Sequence, residues 1–139
     1  MKVRGLNNRL YHLDLKKYIV RNDDIKKRSS HHYRCRELLK EMYPGYTICE
    51  EVKLPGSRDP SKKSVLFLDF FIPNLMMGVE VHGRQHYEYV PFFHKTYAEF
   101  LKSQARDGIK EEWCSLNSID LYHLNYKDTT DEWRSTLDG

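Results

Sequence analysis

Two carboxylates stand inside apolar, strand-like runs of this 139-residue chain. Asp69 interrupts Val65-Leu-Phe-Leu-Asp-Phe-Phe-Ile72, and Glu80 interrupts Gly78-Val-Glu-Val-His82. An ionised carboxylate among apolar neighbours costs on the order of several kcal/mol unless a cation or hydrogen-bond donors meet it. Two of them on adjacent strands can converge on one divalent cation. Mg²⁺ takes hard oxygen ligands and keeps several waters, so two carboxylates and a substrate phosphate form a sufficient set. His82 follows Glu80 at i+2 and shares its strand face, while Val79 and Val81 share the other. Gly83 then lets the backbone turn, and His82 and His86 bracket that turn. A neutral imidazole beside an activated water is a base, and an imidazolium beside a leaving oxygen is an acid. The alternative keeps Asp69 and Glu80 on a solvated strand surface. Asp69 shares its face with Phe67 and Phe71, so alternation leaves both readings open.

Further along, Arg106, Asp107 and Lys110 form a compact charged edge on a helical segment. Asp107 reads either as a neighbour of the site or as an i+3 partner of Lys110, a pairing worth roughly 0.2–0.5 kcal/mol. Tyr87, Tyr89, Phe92 and Phe93 read either as a surface for stacking on bases or as core. No zinc is expected: there is no CxxC pair, and His94 is the only further soft ligand near His82 and His86. Cys35, Cys49 and Cys114 are scattered and odd in number, which reads as reduced thiols.

The elements that must position these groups follow from periodicity. A helix is predicted from Lys26 to Met42, with Ser29 or Ser30 as cap and Cys35, Leu38, Leu39 and Met42 on one stripe. Pro44-Gly45 ends it. Tyr46 to Leu54, Ser64 to Ile72 and Met77 to His82 read as three strands in meander order. A long helix from Phe93 to Trp113 is predicted to bury Tyr97, Leu101, Ala105, Ile109 and Trp113. A fourth strand follows at Ser118 to Tyr126, then a short helix at Thr130 to Leu137. The order α-β-β-β-α-β-α places a crossover helix between strands three and four. The expected fold is α/β, an α+β sandwich with a mixed four-stranded sheet flanked by helices.

Composition frames the function. Hydrophobic residues make up 40% and charged residues 31%, the balance of a soluble globular domain, and no apolar run approaches the roughly 20 residues of a membrane span. The basic N-terminus lacks an apolar signal core, so secretion is not expected. The net charge of +3 hides an asymmetry: residues 1–40 carry twelve Lys/Arg and four Asp/Glu, and the remainder carries an acidic excess. A basic region on a mildly acidic body suits a polyanion, because each neutralised phosphate releases counterions. A solvated face is the plainer alternative. Residues 1–28 are therefore read as a basic N-terminal arm and residues 29–139 as the catalytic domain, although Tyr11, Leu13, Leu15, Tyr18, Ile19 and Val20 are suited to packing on the body.

The ordered set Leu68-Asp-Phe-Phe-Ile-Pro-Asn-Leu-Met-Met-Gly-Val-Glu-Val-His-Gly-Arg-Gln-His86, then Arg106-Asp107 and Lys110, resembles the PD-(D/E)XK nuclease superfamily. Within it the chain is similar to the very-short-patch-repair-like branch, with its phage-associated homing endonucleases, from about Ser29 to Tyr126. The resemblance implies a restriction-endonuclease-like fold and metal-dependent cleavage of DNA. Asp69 and Glu80 would hold Mg²⁺, with Mn²⁺ able to substitute. His82 would stand where most of the superfamily has lysine, His86 near the scissile phosphate, and Asp107 as a helix acid. The acidic position of the family's first helix falls on His32 when counted from Ser29, with Glu37 the alternative. Arg34, Arg36, Lys40, Arg84, Arg106 and Lys110 would contact double-stranded DNA. A single site nicks one strand, and a double-strand break would need a homodimer or two successive events. A cytoplasmic setting in an infected or bacterial cell is implied by the resemblance alone. An RNA-directed nuclease and a non-catalytic nucleic-acid-binding module on the same fold are the alternatives.

Overall fold

The structure is a computed structural model that describes residues 1–20, 28–60, 64–83 and 96–138. It opens with a hairpin of two short strands, Lys2–Arg4 (β1) and Leu10–His12 (β2). Helix α1, Ser30–Met42, follows, and then strands Cys49–Lys53 (β3), Phe67–Ile72 (β4) and Met77–His82 (β5). Helix α2, Tyr97–Leu116, leads to strand Asp120–Asn125 (β6), and helix α3, Thr130–Asp138, ends the fold. The long strands form one sheet in the order β3-β4-β5-β6. The first two pairings are antiparallel, and β6 runs parallel to β5, as a helical crossover requires. The expected mixed four-stranded α+β sandwich is therefore present, in the expected order.

Each face of the sheet carries its own core. On one, Phe70, Ile72, Met77, Val79 and Leu124 pack against Cys35, Leu38 and Leu39 of α1 and Trp133 and Leu137 of α3. On the other, Val52, Leu68 and Phe71 pack against Trp113 and Cys114 of α2. Val3 and Leu13 of the hairpin join this second core. Residues 1–20 thus do not form a free arm. The hairpin is tied down by the Arg4 N–H, which donates to Asn117 Oδ1 at 2.7 Å, and by the Leu6 N–H, which donates to the Gly56 carbonyl. Lys2 and Arg9 remain exposed on it, as do Lys16 and Lys17 on the 3-10 turn that follows.

That docking depends on two glycines in close approach. A Cβ on Gly56 would lie 2.3 Å from the Gly5 Cα, and Gly56 has φ +77. Gly45 has φ +86 with nothing within 4 Å. Both glycine-to-alanine changes meet the left-handed penalty, of about 1 kcal/mol, but only Gly56 also meets a backbone collision. Gly56→Ala should therefore lower stability in urea unfolding clearly more than Gly45→Ala.

Helix α1 starts one residue after Ser29, whose Oγ accepts the His32 N–H as predicted for a cap. Helix α2 corrects an expectation. Trp113 is buried, but Tyr97 and Leu101 are 59% and 48% exposed. The face turned inward is instead Phe100, Ser103, Trp113 and Cys114, and it carries Lys110 with it. A strict i+4 series rotates about 40° per step around an α-helix, so five such residues cannot share one face.

Candidate active site

The ladder between β4 and β5 ends at Phe70 and Val79. The next pair in register is Asp69 and Glu80. There the side chains replace the backbone as hydrogen-bond acceptors: the Asp69 N–H donates to Glu80 Oε2 and the Val81 N–H donates to Asp69 Oδ2, both at 2.9 Å. Strand β5 continues alongside β6 while β4 parts from it, so the two carboxyl groups sit in the fork. A cleft of about 240 Å³ opens there, lined by Ser29, His32, Asp69, Glu80, Val81, His82 and Lys110. The N-terminus of α1 and the inner face of α2 form its walls.

The electrostatics of this fork are unusual. Glu80 is 2% exposed, and Lys110 Nζ donates to its Oε1 at 2.5 Å. Asp69 is pushed up to about 7 by burial first, then by the Glu80 charge and a shared hydrogen bond with the Glu80 carboxyl. Lys110 and the Val81 N–H pull the other way and do not prevail. Burial alone would lower Lys110, yet Glu80 and Asp69 together raise it. The Lys110 ammonium thus meets Glu80, while burial beside the Glu80 charge disfavours ionised Asp69.

A pH dependence follows. An Asp in the unfolded chain titrates near about 3.9. With Asp69 raised in the folded state, its favourable contribution is complete below that value and is lost as pH rises through about 7. The contribution of Asp69 to the melting temperature of the metal-free protein should fall between about pH 4 and about pH 7, and Asp69→Asn should flatten that fall.

His82 is on the same strand face as Glu80, as the i+2 spacing predicts, and is 5% exposed. Its Nδ1 lies 3.8 Å from Asp107 Oδ2 on α2. Its Nε2 lies 2.6 Å from His123 Nδ1, and His123 Nε2 lies 2.7 Å from Glu111 Oε1. A carboxylate only accepts, so His123 donates through Nε2 and receives the His82 Nε2–H on Nδ1. Sequence reasoning missed His123 and Glu111. The signal was a histidine in a strand parallel to β5, and the register that sets His123 beside Glu80 was needed to read it.

Of the two first-helix alternatives, His32 lines the cleft. Glu37 points elsewhere, with its side chain 74% exposed and 3.7 Å from Lys40. Behind His32 stands a group that the sequence did not single out. Glu50 of β3 accepts from His32 Nε2 and from Arg36 Nη2, the latter at 2.9 Å.

The basic residues expected on DNA are placed differently. Arg36 is 7% exposed and spent on Glu50, so its guanidinium is a buried strut. Arg34 donates to Thr130 Oγ1 and to the Asp128 carbonyl and stacks 3.6 Å from the Trp133 ring centroid, clamping α1 to α3. Arg106 reaches Asp59 at 3.3 Å, and Lys110 belongs to the cleft. Lys40 lies on the outer surface of α1 beside Glu37. His86 and Arg84 lie outside the described residues, as do Tyr87, Tyr89, Phe92, Phe93 and His94.

Among the described residues, no group of three or more His, Cys, Asp or Glu side chains stands together as a metal site. The three cysteines are buried free thiols, and burial pushes Cys49 to about 11, away from the thiolate that binds metals.

No family model matches the chain. No solved structure matches it either. Similarity is found to viral proteins. Over 61 residues, 44% of its length, the chain is 39% identical to uncharacterized protein 307L of Invertebrate iridescent virus 6 and covers 31% of that protein. Over 69 residues it is 35% identical to uncharacterized protein 033L of Invertebrate iridescent virus 3, covering 36% of it. Over 78 residues it is 36% identical to uncharacterized protein 094L of Frog virus 3, covering 50% of it. The chain thus spans at most half the length of these relatives. No helix among the described residues is long and apolar enough to cross a membrane.

Proposed function

We propose that this protein is a metal-dependent DNA endonuclease of the PD-(D/E)XK type. The observation that carries the reading is the fork in the sheet, where Asp69 and Glu80 face each other in a polar cleft with the Lys110 ammonium donating to Glu80. Hard carboxylate oxygens on a site short of positive charge fit Mg²⁺ or Mn²⁺. Such an ion supplies charge neutralisation at the phosphate and a lowered pKa for an attacking water.

The protein's own groups do the rest. Asp69 and Glu80 orient the cation site and are themselves held by backbone N–H groups of the opposite strand. Lys110 holds Glu80 in place, and its ammonium is positioned to meet the charge that develops on the phosphate. His82 takes or gives the proton at Nδ1, since its Nε2–H goes to His123, and Asp107 Oδ2 lies 3.8 Å from that Nδ1 to meet the charge of the protonated ring. The exposed Lys2, Arg9, Lys16 and Lys17 and the half-buried Lys40 supply backbone contacts that fix register without reading sequence. One such cleft per chain nicks duplex DNA, and a homodimer would be needed for concerted double-strand cleavage.

The reading is tested by incubating the purified chain with supercoiled and linear duplex DNA, and with RNA, with and without Mg²⁺ or Mn²⁺. Metal-dependent nicked or linear DNA is the expected product. Cleavage of RNA alone would move the substrate class, and binding without cleavage under either ion would leave only the binding-module alternative.

A further inference from the structure

We propose that Glu50, clamped by Arg36, positions His32 so that Nδ1 is the ring nitrogen presented to the Asp69–Glu80 cleft. Glu50 and Arg36 are then positioning residues for the reaction proposed above, and the inference rests on that reading for its catalytic part.

The three side chains span α1 and β3 behind the cleft wall, and each residue is 7% exposed. Arg36 Nη2 donates to Glu50 Oε1 at 2.9 Å, and its Nε lies 2.8 Å from Oε2 as an ion-pair contact without hydrogen-bond geometry. The guanidinium therefore holds the carboxylate in place by one hydrogen bond and close charge. The carboxylate only accepts, so the proton on His32 that it binds must sit on Nε2. Burial would raise the Glu50 carboxyl, but His32 and Arg36 together hold it below its ordinary value, so it stays the acceptor. The ring has little freedom otherwise. Phe70 stacks on it at 4.5 Å with planes 27° apart, and its main-chain N–H is capped by Ser29.

A strut between α1 and β3 requires only Arg36 and Glu50. The third member is the one that lines the polar cleft, alongside Asp69, Glu80 and Lys110. A buried carboxylate and guanidinium are costly to desolvate, and apolar packing would join these elements at least as well. The trio makes chemical sense as a carboxylate–imidazole pair with its orientation set from behind, leaving one nitrogen for a substrate oxygen or water.

The test uses the full ¹⁵N-labelled chain and has two arms. Long-range ¹H–¹⁵N correlation reports the His32 tautomer in the wild type and in Glu50→Gln, an isosteric change whose folding is checked by circular dichroism. Single-turnover cleavage of duplex DNA at saturating Mg²⁺ is measured for wild type, Glu50→Gln, His32→Ala and the double variant. The Nε2–H tautomer should dominate in the wild type and mix with the other in Glu50→Gln. Glu50→Gln should slow cleavage about 10-fold or more with DNA affinity within about twofold, and should cost nothing further once His32 is Ala. The proposal is overturned by an Nδ1–H tautomer in the wild type, by a tautomer that ignores Glu50→Gln, or by an equal loss in the His32→Ala background. If the wild type cuts no DNA, the nuclease reading and the catalytic role fall together, and the spectra alone decide the positioning.

Discussion

Asp69→Ala should abolish Mg²⁺-dependent cleavage, with a loss of about 10³-fold or more, while DNA binding without metal changes little. The size follows from the several kcal/mol that a bound cation contributes to neutralising the transition-state charge, which converts at about 1.4 kcal/mol per tenfold. Asp69 is the group that cannot be substituted by a neighbour. Glu80 is already engaged by Lys110 and by the Asp69 N–H, so a lone Glu80 would hold the ion at one point without a second protein ligand. The same replacement should remove the fall in stability that Asp69 causes as pH rises toward about 7, while depriving the Val81 N–H of its acceptor. Cleavage rates, gel-shift affinity in chelator and thermal melts across pH read the three quantities.

Arg36→Ala should be the most destabilising of the charge deletions, by about 3–5 kcal/mol in urea unfolding, because it leaves Glu50 buried with only His32 to meet it. Exchanging both partners for apolar residues, Arg36→Met with Glu50→Leu, should recover most of that stability. The prediction separates two roles for the same residue. A surface arginine on a phosphate would leave stability unchanged and lower the slope of log affinity against log salt by about one. Arg36, at 7% exposure, is expected to act on stability.

Much of this was legible from residue types. The i+2 relation of Glu80 and His82, the Ser29 cap and the crossover helix all depend on local spacing, and each stands in the structure as read. What was not legible depends on contacts distant in sequence. Arg34 looked like a phosphate contact because nothing near it in sequence claims a guanidinium; Thr130, Asp128 and Trp133, which do, belong to another helix and its approach. Lys110 looked like part of a DNA-facing edge, and only the packing of α2 on β5 turns it onto Glu80. His123 needed the β5–β6 register. The inner face of α2 was misjudged for a different reason: Tyr97, Leu101 and Ala105 look like a stripe in one dimension, but helical rotation carries them into solvent. The N-terminal charge was visible, but whether residues 1–20 were free or docked turned on Val3, Leu13 and the approach of Gly5 to Gly56, which charge counting ignores.

The most direct test of the carboxylate pair as a cation site is calorimetric titration of the protein with Mn²⁺ at about pH 6, in two buffers of different ionisation enthalpy. Asp69, raised to about 7, holds its proton there, and ligation requires that it leave. One ion should bind per chain with release of about one proton, and Asp69→Asn should lose both the binding and the proton. Binding that releases no proton, or that survives Asp69→Asn unchanged, would contradict the assignment of Asp69 and Glu80 as the cation site.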